Sequence, residues 1–272
     1  MKYYVKVEKN VRIFVEDTNP DGENTILFIH GWPLNHNMYE YIIENFASKG
    51  YRCIAIDLRG YGKSDKPSTG YDYDRMANDI RHLIESLKLN NITLMGHSMG
   101  GAISTRYMSK YNAHGVARLC LLSAAVPKWV QSSDWKYGYT LNQVNDLIDN
   151  FRNDRPQSIR TTSETFFYQF TSQGILDWFF DMGLAASGWS TINSLIALRD
   201  EELFDDLKNI KVPTLILHGV HDKVCPYPFA EYMNSTIENS TLVSLTEGGH
   251  GAFYECRDTI NKSLEQFINK TK

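Results

Sequence analysis

Four short, nearly continuous apolar runs punctuate the first half of the chain: TILFIH (25–30), RCIAID (52–57), NITLMG (91–96) and ARLCLLSA (117–124). Rich in β-branched residues, they read as strands buried on both faces. Between them, NMYEYIIENFASKG and DRMANDIRHLIESLKLN space their apolar residues three and four apart and end in Gly or Asn, as amphipathic helices with C-terminal stops do. Strands that alternate with helices pair in parallel, with helices covering both faces of the sheet. The opening YYVKVEKNVRIFVEDTNPDG differs: it alternates polar with apolar and turns at KN, which predicts an antiparallel hairpin on the sheet's edge.

The rhythm breaks after about residue 126. From 127 to 205 the chain becomes helical and aromatic, holding four of its five tryptophans (Trp129, Trp135, Trp178, Trp189). Strand signals resume at KVPTLILHG (211–219) and STLVSLTEGGH (240–250), each followed by a helical segment. Residues 1–126 and 206–272 are therefore expected to build one core, and 127–205 a helical, aromatic cap inserted in it. A length of 272 residues with 42% hydrophobic composition is enough for such a core and its insertion.

A net charge of −4 without a clustered basic face argues against a nucleic-acid or anionic-membrane partner. No uncharged apolar run approaches the ~20 residues that span a bilayer, and MKYYVKVEKN lacks a signal-peptide core, so a cytoplasmic protein is expected. Cys53, Cys120, Cys225 and Cys256 form no C-x-x-C pair and are expected to be buried thiols, with no metal site.

Gly96-His97-Ser98-Met99-Gly100 follows a strand and opens a helix, the context that turns G-x-S-x-G into a nucleophile elbow. A strained turn would project the Ser98 hydroxyl from the sheet, and Gly96 and Gly100 would let strand and helix approach closely. A phosphate-cradling loop would want a Lys after the glycines, where Ala102 and Ile103 stand. A serine hydroxyl needs a base, and the base an orienting carboxylate. LILHGVHDKVCP places Asp222 past one strand and LVSLTEGGHGAF places His250 past the next, in the chain order Ser, Asp, His. His221 would have to act from the same tight loop as Asp222, His97 is expected to point away from Ser98, and Asp57 is expected to organise a turn with Arg59. Acyl transfer also needs donors for the developing oxyanion. Met99, next to the serine, offers one amide; FIHGWPLN offers that of Trp32, with Gly31 bringing the backbone close.

Together HGWPLN, DLRGYGKSDKP with YDYDRMANDI, GHSMGG, LHGVHDKVCP and GGHGAF resemble the α/β-hydrolase fold superfamily, and more closely its cofactor-free haloperoxidase, arylesterase and perhydrolase-like branch. The resemblance spans roughly residues 24–126 and 206–272; the insertion carries no matching motif. It implies a mostly parallel, eight-stranded twisted sheet with helices on both faces and a helical cap. It also implies a carboxylesterase-like enzyme without cofactor or metal: Ser98 as nucleophile, His250 as base, Asp222 as orienter, and the amides of Trp32 and Met99 as oxyanion hole. The serine separates the chain from haloalkane dehalogenases and epoxide hydrolases, which resemble it in fold but attack through an aspartate. The branch further implies peroxide in place of water on an acyl-enzyme, giving a peracid that oxidises halide.

Among the cap aromatics, Trp129, Phe167 and Trp178 are the expected substrate contacts, although aromatics at such spacing mostly pack helices onto a core. No Arg or Lys cluster in the cap suggests an anion clamp, so esters of small, uncharged, apolar or aromatic groups are expected. Two other readings stay open: a carbon–carbon bond hydrolase or lactonase with the same triad, and a non-hydrolytic ligand receptor. A small-molecule partner is expected, and a homo-oligomer stays open.

Overall fold

The edge hairpin forms from β1 (Lys2–Glu8) and β2 (Val11–Thr18), antiparallel as their alternation requires. The apolar runs become β3 (Thr25–Ile29), β4 (Arg52–Ile56), β5 (Ile92–His97) and β6 (Val116–Leu122), and the later signals β7 (Thr214–Gly219) and β8 (Ser240–Leu245). In a computed structural model that describes residues 1–271, they join in one sheet of order β1-β2-β4-β3-β5-β6-β7-β8. The β1–β2 and β2–β4 pairings are antiparallel; every other pairing is parallel.

The helices of the core are α1 (Glu40–Ser48), α2 (Tyr73–Ser86) and α3 (Met99–Lys110). Between β6 and β7 run α4 (Leu141–Asn153), α5 (Arg155–Phe166), α6 (Gln173–Leu184), α7 (Gly188–Asp200) and the short α8 (Phe204–Lys208). The chain closes with α9 (Pro228–Thr236), α10 (Ala252–Glu255) and α11 (Arg257–Lys270). Strand β3 shows how the faces divide. Leu27 and Ile29 join a core with Met76 and Ile80 of α2 and Ile103 of α3, whereas Ile26 and Phe28 join one with Ile42 and Phe46 of α1 and Leu264 of α11. Each such side chain, fully buried, contributes about 1.5–3 kcal/mol, so the central strands anchor whatever their ends carry. Among the described residues, no helix is long and apolar enough to cross a membrane.

The segment between β6 and β7 leaves the sheet and returns to it at one place, where Leu203 N donates to Pro127 O at 2.8 Å. Trp135 fills this neck, its ring against Phe204, Phe229 and Tyr232. All four cysteines are buried thiols. Asp57 does not pair with Arg59. The two residues part where the chain turns beyond β4: Asp57 accepts from the His36 backbone N (2.9 Å), His36 Nδ1 (2.6 Å) and Lys63 N (2.8 Å), while the buried Arg59 forks onto Asp79 at 2.6 and 2.7 Å.

Candidate active site

Ser98 sits where β5 ends and α3 begins, with φ 52° and ψ −120°. That region is costly for a residue with a Cβ, on the order of 1–3 kcal/mol, so the surroundings must impose it. Backbone bonds from Ser98 N to Leu122 O (3.0 Å) and from Ala125 N to Ser98 O (3.1 Å) do so. Close approach supplies the rest. A Cβ on Gly100 would lie 2.3 Å from Ile29 O, and one on Gly31 would lie 2.9 Å from Ser98 Cβ. The glycine after the serine thus seats α3 against β3, and Gly31 brings the loop after β3 against the hydroxyl.

Loops after β7 and β8 carry the other two residues to this point. His250 Nε2 lies 2.9 Å from Ser98 Oγ, and His250 Nδ1 lies 2.8 Å from Asp222 Oδ2. All three side chains are buried. The second Asp222 oxygen accepts from Val224 N and Cys225 N, both at 2.8 Å. A carboxylate only accepts, so Nδ1 of His250 carries the ring proton and Nε2 is free to take the serine's. His97 does point away from Ser98: its Nε2 donates to His250 O at 3.0 Å, holding the loop rather than the hydroxyl. His221 is outside the cluster, stacked under Tyr168 with ring centroids 3.7 Å apart.

Three further imidazoles are buried around these groups. Leu58 N donates to His30 Nε2 at 2.9 Å, which makes His30 a neutral ring whose Nδ1–H donates to Gly31 O. Burial pulls His30 down to about 4, carries His97 well below the ordinary histidine value with the neighbouring His250 adding to the effect, and lowers His218 against the pull of Asp222. Unfolding frees these rings to bind protons near pH ~6.5. Below that pH the unfolded chain binds protons that the folded one refuses until about 4 for His30, so stability present above ~6.5 is lost as pH falls. From His30 alone the loss is about 3 kcal/mol, fully developed near its folded value. The urea midpoint is therefore expected to fall steadily from pH 7 to pH 5; a flat midpoint would contradict the buried neutral imidazoles.

A cavity of about 480 Å³ opens over Ser98 and His250. Trp32 and Trp129 line it; Phe167 and Trp178, expected as substrate contacts, do not. Phe166 lines it instead, its ring edge-on to His250 at 4.6 Å. The backbone is extended at Phe167 (φ −101°, ψ 141°), so its side chain turns to the other side and packs against Gly251 and Tyr254. Trp178 meets Tyr41 of α1 edge to face. Trp32 holds the cap as well as the cavity, its indole donating to Thr191 O at 3.0 Å and packing on Phe151.

Glu255 carries no sequence signal for a role, yet it joins the segment between β6 and β7 to the loop of His250. Its Oε1 accepts from Tyr168 N (2.6 Å) and Gln169 N (2.7 Å), and its Oε2 from Gly249 N (2.8 Å), next to His250. Gly251 N donates to Phe166 O at 2.7 Å beside it. The strap 166–169 and the His250 loop are thereby one unit. Among the described residues, no group of three or more His, Cys, Asp or Glu is placed to hold a metal ion.

The family model of the alpha/beta hydrolase fold matches residues 24–255. The AB hydrolase superfamily protein YisY of Bacillus subtilis is 45% identical over 269 residues, which cover 99% of this chain and all of that protein. A non-heme chloroperoxidase of Streptomyces lividans is 32% identical, over 97% of this chain and 98% of its own. Among solved structures, the esterase EaEST from Exiguobacterium antarcticum superposes with a TM-score of 0.96 at 41% identity, covering 99% of this chain and 100% of that one.

Proposed function

The chain belongs to the alpha/beta hydrolase fold family, in its haloperoxidase-like branch, and from that premise we propose that it hydrolyses carboxylic esters through Ser98, His250 and Asp222 by way of an acyl-enzyme. The observation that carries the reading is the unbroken line from Asp222 through His250 to Ser98 Oγ, with links of 2.8 and 2.9 Å, at the floor of the cavity. His250 Nε2 takes the Ser98 proton as Oγ bonds to the ester carbonyl carbon. The amides of Met99 and Trp32, which have no protein acceptor among the described residues, are the donors for the oxyanion. The C–O bond then breaks, His250 returns its proton to the departing alcohol, and water repeats the sequence on the acyl-enzyme to release the acid. Similarity to a non-heme chloroperoxidase supports hydrogen peroxide as an alternative to that water, giving a peracid and free Ser98.

The test is a fluorophosphonate probe applied beside turnover of p-nitrophenyl acetate and butyrate. Labelling is expected at Ser98, dependent on His250, with turnover in Ser98→Ala lower by at least ~10³-fold. Unlabelled Ser98 in folded protein would overturn the assignment in favour of a ligand-binding role. Faster turnover of a lactone or a vinylogous diketone than of the esters would move it to those bonds.

A further inference from the structure

The outer half of the cavity has a composition that a mere hydrophobic cover would not need. From α4 it is lined by Gln143, Asp146, Leu147, Asn150 and Asn153, and from the N-cap and body of α5 by Asp154, Gln157, Ser158, Thr161, Thr162 and Thr165. Steps of three and four put each set on one helical face. These faces are distinct from the ones that bury Val144, Ile148 and Phe151 of α4 and Ile159 of α5. Each helix thus turns one stripe into the apolar core and a second, largely solvent-exposed polar stripe along the cavity.

Hydrogen-bond accounting shows what the polar stripe offers. The hydroxyls of Ser158, Thr161, Thr162 and Thr165 already donate to the helix carbonyls of Asp154, Gln157, Ser158 and Thr162, at 2.7 to 3.2 Å. Only their acceptor lone pairs remain for a ligand. Asp146 adds a carboxylate with no ion-pair partner among the described residues, whereas Asp149, off this face, is held by Arg152 at 3.0 Å. Among the described residues, no Lys or Arg lines the cavity. The wall therefore offers acceptors beside the side-chain amides of Gln143, Asn150 and Asn153, and its carboxylates, Asp146 and Asp154, make it negative in sign, above an apolar floor of Trp32, Trp129, Phe166 and Val224.

We propose that this wall is a subsite for a hydrogen-bond-donating group, ammonium above hydroxyl, at the distal end of the substrate, that it rejects a carboxylate there, and that Asp146 sets the preference. The inference rests on the ester-hydrolase reading and replaces the expectation of small, uncharged, apolar or aromatic groups. A donor there fills lone pairs that a methyl group leaves empty, and a carboxylate meets the like charge of Asp146 and Asp154 with no Lys or Arg in the lining to offset it.

The experiment compares p-nitrophenyl esters of hexanoate, 6-hydroxyhexanoate, 6-aminohexanoate and adipate. The expected order of kcat/KM is amino, hydroxy, methyl, carboxylate, with at least ~30-fold between the ends. The ratio of amino to hexanoate ester is expected to drop ~5-fold in Asp146→Asn and to invert against adipate in Asp146→Lys, while Asp149→Asn keeps the parent ratios. A flat or reversed series, or ratios that ignore Asp146, would overturn the subsite. A second arm needs no catalysis: hexylamine, hexanol and hexanoate bound to Ser98→Ala protein, followed by the fluorescence of Trp32 and Trp129, are expected in that order of affinity. Absence of ester turnover with unlabelled Ser98 would overturn the hydrolase reading alone, and this binding order would then decide the subsite.

Discussion

Asp222→Asn is expected to lower kcat on p-nitrophenyl esters by about 10⁴-fold at neutral pH while leaving the fold intact. The reason is orientation. The Val224 and Cys225 amides, both 2.8 Å from Asp222 Oδ1, need an acceptor, so they hold the new side chain with its oxygen toward them. Its NH₂ group then faces His250 Nδ1, where the carboxylate oxygen had been. A donor there forces Nδ1 to accept, which places the ring proton on Nε2, toward Ser98, and removes the base. Stopped assays with equal protein, checked by circular dichroism, measure this; a loss under tenfold would mean that His250 does not depend on Asp222 for its tautomer.

Gly100→Ala is expected to give the largest stability loss of any single methyl addition at this site, at least ~3 kcal/mol. The added carbon would lie 2.3 Å from Ile29 O and 2.5 Å from His30 O. Both are backbone atoms at the end of a central strand, so neither can rotate aside, and α3 must move away from β3. In a chain of this size that loss corresponds to a melting temperature lower by roughly 10 °C. Because Met99 and Ser98 move with the helix, activity should fall as well, by ~10²-fold for a displacement near 1 Å. A variant melting within 2 °C of the parent would show that the start of α3 is free to shift.

What the sequence made legible follows from the range of the forces involved. Strands buried on both faces write themselves as apolar runs, and the elbow needs glycines at fixed offsets, so the sheet and the Ser98, Asp222, His250 grouping could be read locally. Partners set by distant contacts could not. Asp57 finds His36, 21 residues upstream, instead of the nearby Arg59. Phe166, not Phe167, faces the cavity because one extended residue reverses the side chain, and no spacing rule says where α5 ends. The polar stripes of α4 and α5 look in sequence like ordinary solvated faces, and most of their residues are exposed; only the fold reveals that the same residues also border the cavity.

The bonds of Glu255 bear on how such a cap can be exchanged. Cutting at the neck, where Leu203 meets Pro127, would seem to free the insertion as a cassette. Yet two amides of that cassette, Tyr168 and Gln169, are held by the same carboxylate that holds Gly249 beside His250. A transplanted segment without a pair of N–H groups at this spot would leave that carboxylate half-satisfied and loosen the histidine loop along with it. Changes along the cavity-lining stripes of α4 and α5 leave these bonds untouched, whereas wholesale replacement of the segment between β6 and β7 calls for a compensating change in the core at Glu255.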